Sequence, residues 1–179
     1  MVTLLYLHAC GDSSTVCDGY PPQSESNHVL PFAVGENYLV TRAACASSHP
    51  PPRLQFAYDF AMPIGSGIHA TRDGVVSEFR NEFVDGTGAG FGNYIYIEHS
   101  DNTVSRYAHL TENGILVGLG EAVVQGQLIG LSGNTGFSTG PHLHYDVADC
   151  SEDPNRCVTF PITFKNTRPH PEGLIVGEF

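Results

Sequence analysis

Two histidines stand two residues apart at His142 and His144, within a β-type run at residues 141–147. Residues two apart on a strand point to the same face, so both imidazole rings can serve one site. Imidazole is the commonest metal-ligating side chain and the usual general base near neutral pH. A loop of small residues, 132–140, precedes the pair and can bring backbone close to a ligand. The pattern indicates a metal or acid–base site, but such a pair on a solvated strand is also a common coincidence.

A single carboxylate, Asp59, interrupts an apolar run between residues 56 and 63. Burying an unpaired carboxylate is costly, so Asp59 needs a metal ion, a cation or a set of hydrogen-bond donors beside it. The alternative is an aspartate that caps a helix or a turn, which no neighbouring pattern supports strongly. Asp59 is therefore a further candidate for a site that holds a metal or another cation.

The segments around these residues have the pattern of short β-strands. From Leu30 to about Val147, β-type runs alternate with glycines, and no long run has helical periodicity. The clearest element is a hairpin, in which residues 92–99 and 103–110 flank a turn-forming triplet. Further short strands are predicted at residues 115–117, 121–124, 127–131, 141–147 and 158–164, the last limited to a sheet edge by its proline. The sequence therefore predicts an all-β fold with a compact sheet or barrel.

The length and composition suit one domain. The chain has 179 residues, 41% hydrophobic and 15% charged, which excludes a coiled coil, collagen or a disordered tail. Residues 18–28 are rich in proline and serine, so we expect a linker or surface-laid arm within residues 1–29. A single domain then occupies residues 30–179, with a short C-terminal extension from about residue 150. The formal charge of −11 repels phosphate and excludes nucleic acid as a partner.

The cysteines favour export. Five are present, and the segment that ends at Cys10 resembles the end of a bacterial lipoprotein signal. Only nine residues precede Cys10 and no basic region is present, which a start codon placed too far downstream would explain. If Cys10 carries lipid, the other four suit two disulfides in an oxidising compartment, Cys150 with Cys157 and Cys17 with Cys45. The alternative is a disulfide between Cys10 and Cys17, with Cys45 free.

Six blocks of the sequence, in order, resemble those of the lysostaphin-type zinc metallopeptidases. They are DFAMP from Asp59, ATRDGVV from Ala70, GNYIYIEH from Gly92, YAHL from Tyr107, VQGQLIG from Val124, and GNTG through GPHLH at residues 133–144. The resemblance spans about residues 49–148. It implies a mainly antiparallel β-fold with a groove, of the lysostaphin-like or duplicated-hybrid-motif type, and one bound zinc ion.

The resemblance also implies roles for particular residues. Asp59 and His144 match zinc ligands, while His109 and His142 match the catalytic histidines beside the water that zinc activates. A zinc ion with three protein ligands keeps an open position for water and polarises a peptide carbonyl. One histidine would accept the proton of the water and the other would steady the oxyanion. Asn93 matches a position that contacts substrate, or it is a plain turn asparagine.

The first ligand departs from the commonest pattern of that family. The pattern places a histidine four residues before the aspartate, where this chain has Gln55, a poor zinc ligand. His49 stands ten residues before Asp59 and, with Ser48, resembles a longer-spaced form of the motif. The prolines at residues 50–52 exclude a regular strand, so a loop can return His49 to the metal. We expect His49 to be the first ligand; the alternatives are a zinc-free relative and a ligand from elsewhere in the chain.

The implied function is that of a zinc endopeptidase that cuts cross-links or stem peptides of bacterial peptidoglycan. We expect an exported protein that is periplasmic, secreted, or anchored to the envelope by lipid on Cys10. Two alternatives are a zinc-free regulatory or binding module with the same groove, and a zinc peptidase that acts on proteins. Because an acidic protein is not held by charge to an anionic wall, we also expect a tether or a partner.

Overall fold

Strands and loops make up almost all of the chain in a computed structural model, which describes residues 17–151 and 157–177. The ten strands are β1 (Val40–Arg42), β2 (Tyr58–Phe60), β3 (Gly67–His69), β4 (Gly74–Arg80), β5 (Asn93–Glu98), β6 (Thr103–Ile115), β7 (Ala122–Val123), β8 (Leu128–Ser132), β9 (Leu143–Asp149) and β10 (Val158–Thr159). One turn of 3₁₀ helix covers Gln23–Glu25, and the described residues contain no α-helix. None of the described helical structure could cross a membrane.

The strands form one sheet in which every pairing is antiparallel. Its main path runs β1, β2, β9, β6, β5, β4, β7. Strand β10 pairs with β9, and β3 pairs with β8, which also pairs with β6. The prediction of an all-β, mainly antiparallel fold is confirmed.

The predicted hairpin is present as β5 and β6, joined by a short turn after Glu98. Its side chains alternate as a half-buried sheet requires: Ile95 and Ile97 are fully buried in the core, while Tyr94 and Tyr96 stack on each other on the opposite face. The core is formed by large side chains from the facing strands, among them Val40, Tyr58, Phe60, Tyr107, Leu110, Leu143 and Tyr145. The face opposite the core is therefore free to carry polar side chains from neighbouring strands.

Some predicted strands are shorter than expected. β6 continues to Ile115, but residues 116–117 are not strand, and the Leu116 amide donates instead to the Ile129 carbonyl. The predicted run at 158–164 is a strand only at β10, because Pro161 has no amide to extend the ladder.

The described part of the N-terminal arm packs onto the domain. The Gln23 side chain donates to the carbonyls of Phe164 and Thr167, at 2.8 Å each. His28 forms a parallel bridge with Phe164, and both side chains are buried. Of the linker and the surface-laid arm that the composition left open, the hydrogen bonds of residues 17–29 with the C-terminal segment favour the arm.

Two pairs of cysteines lie at disulfide distance. Cys17 is joined to Cys45, with Cα atoms 6.1 Å apart, and Cys150 to Cys157, with Cα atoms 4.2 Å apart. These are the two pairs predicted together with a lipidated Cys10. Cys10 itself lies outside the described residues.

Candidate metal centre

Three potential metal ligands meet where β2 and β9 lie side by side. Asp59 on β2 is directly opposite His144 on β9, and His49 reaches them from the loop between β1 and β2. One ligand atom of each residue lies within 4.8 Å of the other two, and all three side chains are buried. The structure therefore brings together the three residues that the sequence predicted as zinc ligands.

His49 reaches the centre because its loop folds back on itself. The amide of Cys45 donates to the carbonyl of Gln55, and the amide of His49 donates to the carbonyl of Ala46 at 2.8 Å. The side chain of Gln55 contacts the sulfur of Cys45 instead, with Nε2 3.7 Å from Sγ. In this arrangement His49, and not Gln55, offers the first ligand atom.

The donor atoms have the types and spacing that zinc requires. His49 Nε2 lies 3.4 Å from Asp59 Oδ1, and His144 Nδ1 lies 2.9 Å from the same oxygen. Two ligand atoms at about 2.0–2.1 Å from a tetrahedral zinc are about 3.4 Å apart, so these atoms need only small shifts to share one ion. Two imidazoles and a carboxylate also form a typical set for a catalytic zinc with an open fourth position.

The charges around Asp59 suit a cation. Burial alone would raise the pKa of Asp59, but hydrogen bonds from His144 and His49 hold it well below its usual range. Burial disfavours the charged form of His144, yet hydrogen bonds to Asp146 and Asp59 outweigh it and raise the pKa of His144 to about 9. The metal-free site thus keeps a proton on His144 between two carboxylates. Metal binding releases such a proton, so a divalent ion can take its place.

A buried ion pair lies behind His144. Asp146, two residues along β9, has Oδ2 3.2 Å from His144 Nε2. Arg106 on β6 donates to both carboxylate oxygens of Asp146, at 2.7 and 3.0 Å. With its Nε2–H donated to Asp146, His144 presents Nδ1 to the metal centre. The sequence patterns did not indicate Arg106 or Asp146. The spacing of Asp146 from His142 and His144 was the available signal, because residues two apart on a strand share a face.

His109 enters the site through a β-bulge. Tyr94 pairs with Ala108 but Asn93 pairs with Leu110, so His109 is an extra residue on β6. Its φ of 67° is the left-handed conformation, and the bulge turns its side chain toward His142, with ring centroids 4.6 Å apart. Its Nδ1 donates to the Thr135 carbonyl at 2.7 Å. Its Nε2 is therefore the nitrogen that can accept a proton.

His142 lies immediately before β9 and is fixed in a similar way. Its Nδ1 donates to the carbonyl of Gly140 at 2.8 Å, and its Nε2 lies 3.7 Å from Asp59 Oδ2.

The loop before His142 packs closely on the loop before β5: a Cβ on Gly136 would lie 2.3 Å from the Gly92 nitrogen. Both glycines have positive φ, which explains why small residues stand at this contact.

Both of these histidines are neutral near pH 7. Burial lowers the pKa of His109 most, the nearby His144 and His142 lower it further, and the pKa is about 3. Burial also lowers the pKa of His142, although the Asp59 carboxylate opposes that shift. Two neutral imidazoles, each with its Nδ1–H bonded to a backbone carbonyl, therefore stand beside the candidate metal ligands.

The side chain of Asn93 bonds to the backbone of neighbouring segments. It is fully buried, and its side chain is bonded on both sides to the backbone of Phe83, at 2.9 and 2.8 Å. Its Nδ2 also lies 3.2 Å from the carbonyl of Thr111. These bonds hold the loop before β5 against β6. These bonds give Asn93 a role in fixing that loop, and its contact with substrate stays a prediction.

A groove of about 510 Å³ opens over the centre. Its walls combine the site histidines with basic, aromatic and aliphatic side chains, namely Arg42, Arg53, Arg106, Phe91, Phe137 and Leu54. Phe137 is 88% exposed at the rim, which leaves its ring available to a ligand. The predicted groove is present, and its volume is within the range of typical ligand pockets.

Two histidines outside the candidate centre, His99 and His170, make hydrogen bonds within the fold. His99 is buried, with Nδ1 2.7 Å from the carbonyl of Asp73 and Nε2 2.7 Å from Ser105 Oγ. It is therefore a core histidine. His170 accepts the amide of Phe164 at 2.8 Å and closes the C-terminal segment.

Comparison with known families decides the classification. A family model described as peptidase family M23 matches residues 53–155, more than half of the chain. The chain belongs to peptidase family M23. This match begins after His49, so it adds nothing to the motif and the geometry that place His49 at the candidate metal centre.

Named relatives of this M23 chain act on peptidoglycan. Peptidoglycan DD-endopeptidase ShyA of Vibrio cholerae is 49% identical over 89 residues, which cover 50% of this chain and 19% of ShyA. An uncharacterized metalloprotease of Haemophilus influenzae is 35% identical over 127 residues, covering 71% of this chain and 24% of the relative. The match spans about a fifth to a quarter of the length of these relatives.

Solved M23 structures share the fold. A zinc containing peptidase from Vibrio cholerae aligns with a TM-score of 0.51 at 32% identity, covering 75% of this chain and 39% of that one. Lysostaphin from Staphylococcus simulans aligns with a TM-score of 0.51 at 28% identity, covering 75% and 51%. The catalytic domain of EnpA from Enterococcus faecalis, in a mutant form, aligns with a TM-score of 0.57 at 25% identity, covering 75% and 94%. The resemblance to lysostaphin-type peptidases is confirmed.

Proposed function

We propose that this chain is a zinc-dependent endopeptidase that hydrolyses peptide bonds in cross-links or stem peptides of bacterial peptidoglycan. One observation carries the proposal: a donor set of two imidazoles and a carboxylate lies in the same groove as two further neutral histidines. The fold supports a peptidase. The names of ShyA and similar relatives support peptidoglycan as the substrate.

His49, Asp59 and His144 would hold the zinc. The ion, when bound, polarises the scissile carbonyl and lowers the pKa of a water molecule towards about 7. The protein keeps Asp59 ionised through its hydrogen bonds from the two ligand histidines. It also orients the His144 ring through the contact of Nε2 with Asp146 at 3.2 Å.

His109 and His142 would move the protons. Each has Nδ1–H bonded to a carbonyl, so each can accept a proton only at Nε2. One ring would take the proton of the attacking water at Nε2 and return it to the leaving amine nitrogen. The other ring could donate to the carbonyl oxygen, where negative charge develops, only when its own Nε2 carries a proton. The hydrolysis breaks the C–N bond and leaves a carboxylate and an amine.

Peptidoglycan, the proposed substrate, lies outside the cytoplasm. The two cysteine pairs at disulfide distance suit an oxidising compartment. We place the chain in the periplasm, at the envelope through lipid on Cys10, or among secreted proteins. Its charge of −11 opposes adhesion to an anionic wall, so a tether or a partner brings it to the substrate.

The zinc-free binding module is the second candidate, and the site itself opposes it. A module that had lost its chemistry has no reason to keep ligands and proton-transfer groups together, whereas all five side chains line this groove. A zinc peptidase that acts on proteins differs only in substrate, which the following experiment addresses.

Digestion of purified peptidoglycan by the zinc-loaded full chain tests the proposal. Mass spectrometry is expected to find new amine and carboxylate termini in cross-links or stem peptides. His109→Ala should abolish them, while the matched control Gln55→Ala should release them as the unchanged protein does. Intact peptidoglycan after treatment with the zinc-loaded protein would overturn the proposal, and cleavage of unfolded protein substrates in its place would favour the protein-acting peptidase.

A further inference from the structure

The groove concentrates positive charge in an otherwise acidic protein. The chain has 8 Lys and Arg residues against 19 Asp and Glu. Three of those cations, all arginines, line the groove, and Asp59 is the one carboxylate among its lining residues. Arg106 is buried and neutralised by the two bonds it makes to Asp146. With Arg106 paired to Asp146 and Arg42 to Asp59, the groove keeps a small excess of positive charge, whereas the chain as a whole carries a net charge of −11.

Arg42 lies next to the candidate reaction centre. It is the last residue of β1 and pairs in register with Asp59 on β2. Its Nη1 lies 3.0 Å from Asp59 Oδ2, whereas the ligand histidines approach Oδ1 of the same carboxylate. The Arg42 side chain is 38% exposed, against 2% for Asp59. A guanidinium has five N–H donors, so the bond to Asp59 leaves others for a ligand in the groove.

We propose that Arg42 binds a free carboxylate of the substrate, on the residue that supplies the scissile nitrogen. This inference rests on the proposed function. When such a residue ends in an α-carboxylate, that group is separated from the scissile carbonyl carbon by only the nitrogen and one Cα atom. Arg42 bonds to Oδ2 of Asp59, and the other oxygen of that carboxylate, Oδ1, is the candidate ligand atom. The guanidinium is therefore close enough to the candidate metal position to bind a carboxylate so near the scissile bond. Guanidinium binds carboxylate through paired, charge-assisted hydrogen bonds, so Arg42 is a specificity-determining residue for peptides with that group.

Two synthetic peptides test this directly. They are identical except that the residue after the scissile bond ends in a carboxylate or in a carboxamide. We expect the unchanged protein to prefer the carboxylate by about tenfold or more, both in equilibrium binding to the metal-free chain and in kcat/KM of the zinc-loaded chain. In Arg42→Gln the ratio should fall to about one. Because both peptides are compared in one variant, a change in zinc affinity or in folding cancels in the ratio.

Arg80→Gln is the matched control. Arg80 is 42% exposed and also lies beside a carboxylate, Glu82, so its replacement changes the net charge by the same amount. It lies outside the groove lining and should keep the preference of the unchanged protein.

The outcomes separate the two proposals. If the zinc-loaded chain cleaves neither peptide but the metal-free chain binds the carboxylate peptide more tightly through Arg42, the peptidase proposal fails and the inference stands. If both peptides are cleaved and Arg42→Gln keeps the preference, or the unchanged protein has none, the inference is overturned and the peptidase proposal stands. An equal loss of preference in Arg80→Gln would also overturn it, since long-range charge would then explain the effect.

Discussion

The side chains behind a metal ligand decide which of its atoms faces the metal. His144 can ligate through Nδ1 because Asp146 lies 3.2 Å from Nε2, and Asp146 is in turn held by Arg106. Burial alone would raise the pKa of Asp146, but the charge of Arg106 keeps it low. The carboxylate therefore stays ionised next to the ring and makes His144 a better ligand.

Asp146→Asn is expected to weaken zinc binding by about 10- to 100-fold, because the amide lacks the charge that orients and polarises the His144 ring. Competition with a chelator of known affinity, at one fixed pH, measures the change. Asp149→Asn, on the same strand but at an exposed position, is the control and should bind zinc as the unchanged protein does. Equal zinc affinity in Asp146→Asn and Asp149→Asn would show that Asp146 does not act on the ligand.

Among the elements of the fold, a loop without strand structure carries the candidate ligand His49. The loop between β1 and β2 is joined to the N-terminal arm through Cys17 and Cys45. On its other side, the amide of Thr159 in β10 donates to the Pro52 carbonyl at 3.2 Å, and the Phe56 amide donates to Thr159 Oγ1. The loop is thus fixed at both ends.

Removal of the first cysteine pair should release this loop. We expect the double variant Cys17→Ser with Cys45→Ser to bind zinc about fivefold or more weakly, because the loop then samples positions in which His49 is away from the centre. The variant Cys150→Ser with Cys157→Ser also removes one pair, of sequence separation 7, beside the strand β10 that contacts the loop at Thr159. We expect it to lose less zinc affinity than the first double variant, and an equal or larger loss would contradict this role of the Cys17 and Cys45 pair.

Local patterns predicted the elements that depend on local sequence. The hairpin of β5 and β6 followed from two β-rich runs around a turn, and the shared face of His142 and His144 followed from their spacing. The predicted approach of His49 also followed from the prolines after it, which exclude a strand and leave a loop.

Features that depend on distant pairing were not predictable. The bulge at His109 exists only because β5 and β6 shift register beside the Thr135 loop. The pair of Arg106 and Asp146 exists because β6 and β9 align those positions across 40 residues of sequence. The parallel bridge of His28 with Phe164 joins segments that no short motif connects, so composition alone left open a linker or a surface-laid arm.

In the molecule as a whole, the positive side chains of the groove contrast with the negative net charge of the chain. An acidic surface with net charge −11 surrounds a groove that contains three arginines. The bound zinc would add further positive charge inside the groove. Such a field draws an anionic peptide into the groove while the rest of the protein is repelled by a polyanionic matrix. The chain is therefore suited to local recognition of its substrate and poorly suited to general adhesion.

The content of zinc per chain tests the central claim most directly. After purification and equilibration with zinc, followed by removal of loosely bound ions, elemental analysis should find about one zinc per chain in the unchanged protein and in Gln55→Ala. It should find almost none in His49→Ala. A metal-free unchanged protein, or zinc retained by His49→Ala and lost from Gln55→Ala, would contradict the metal centre described for this chain.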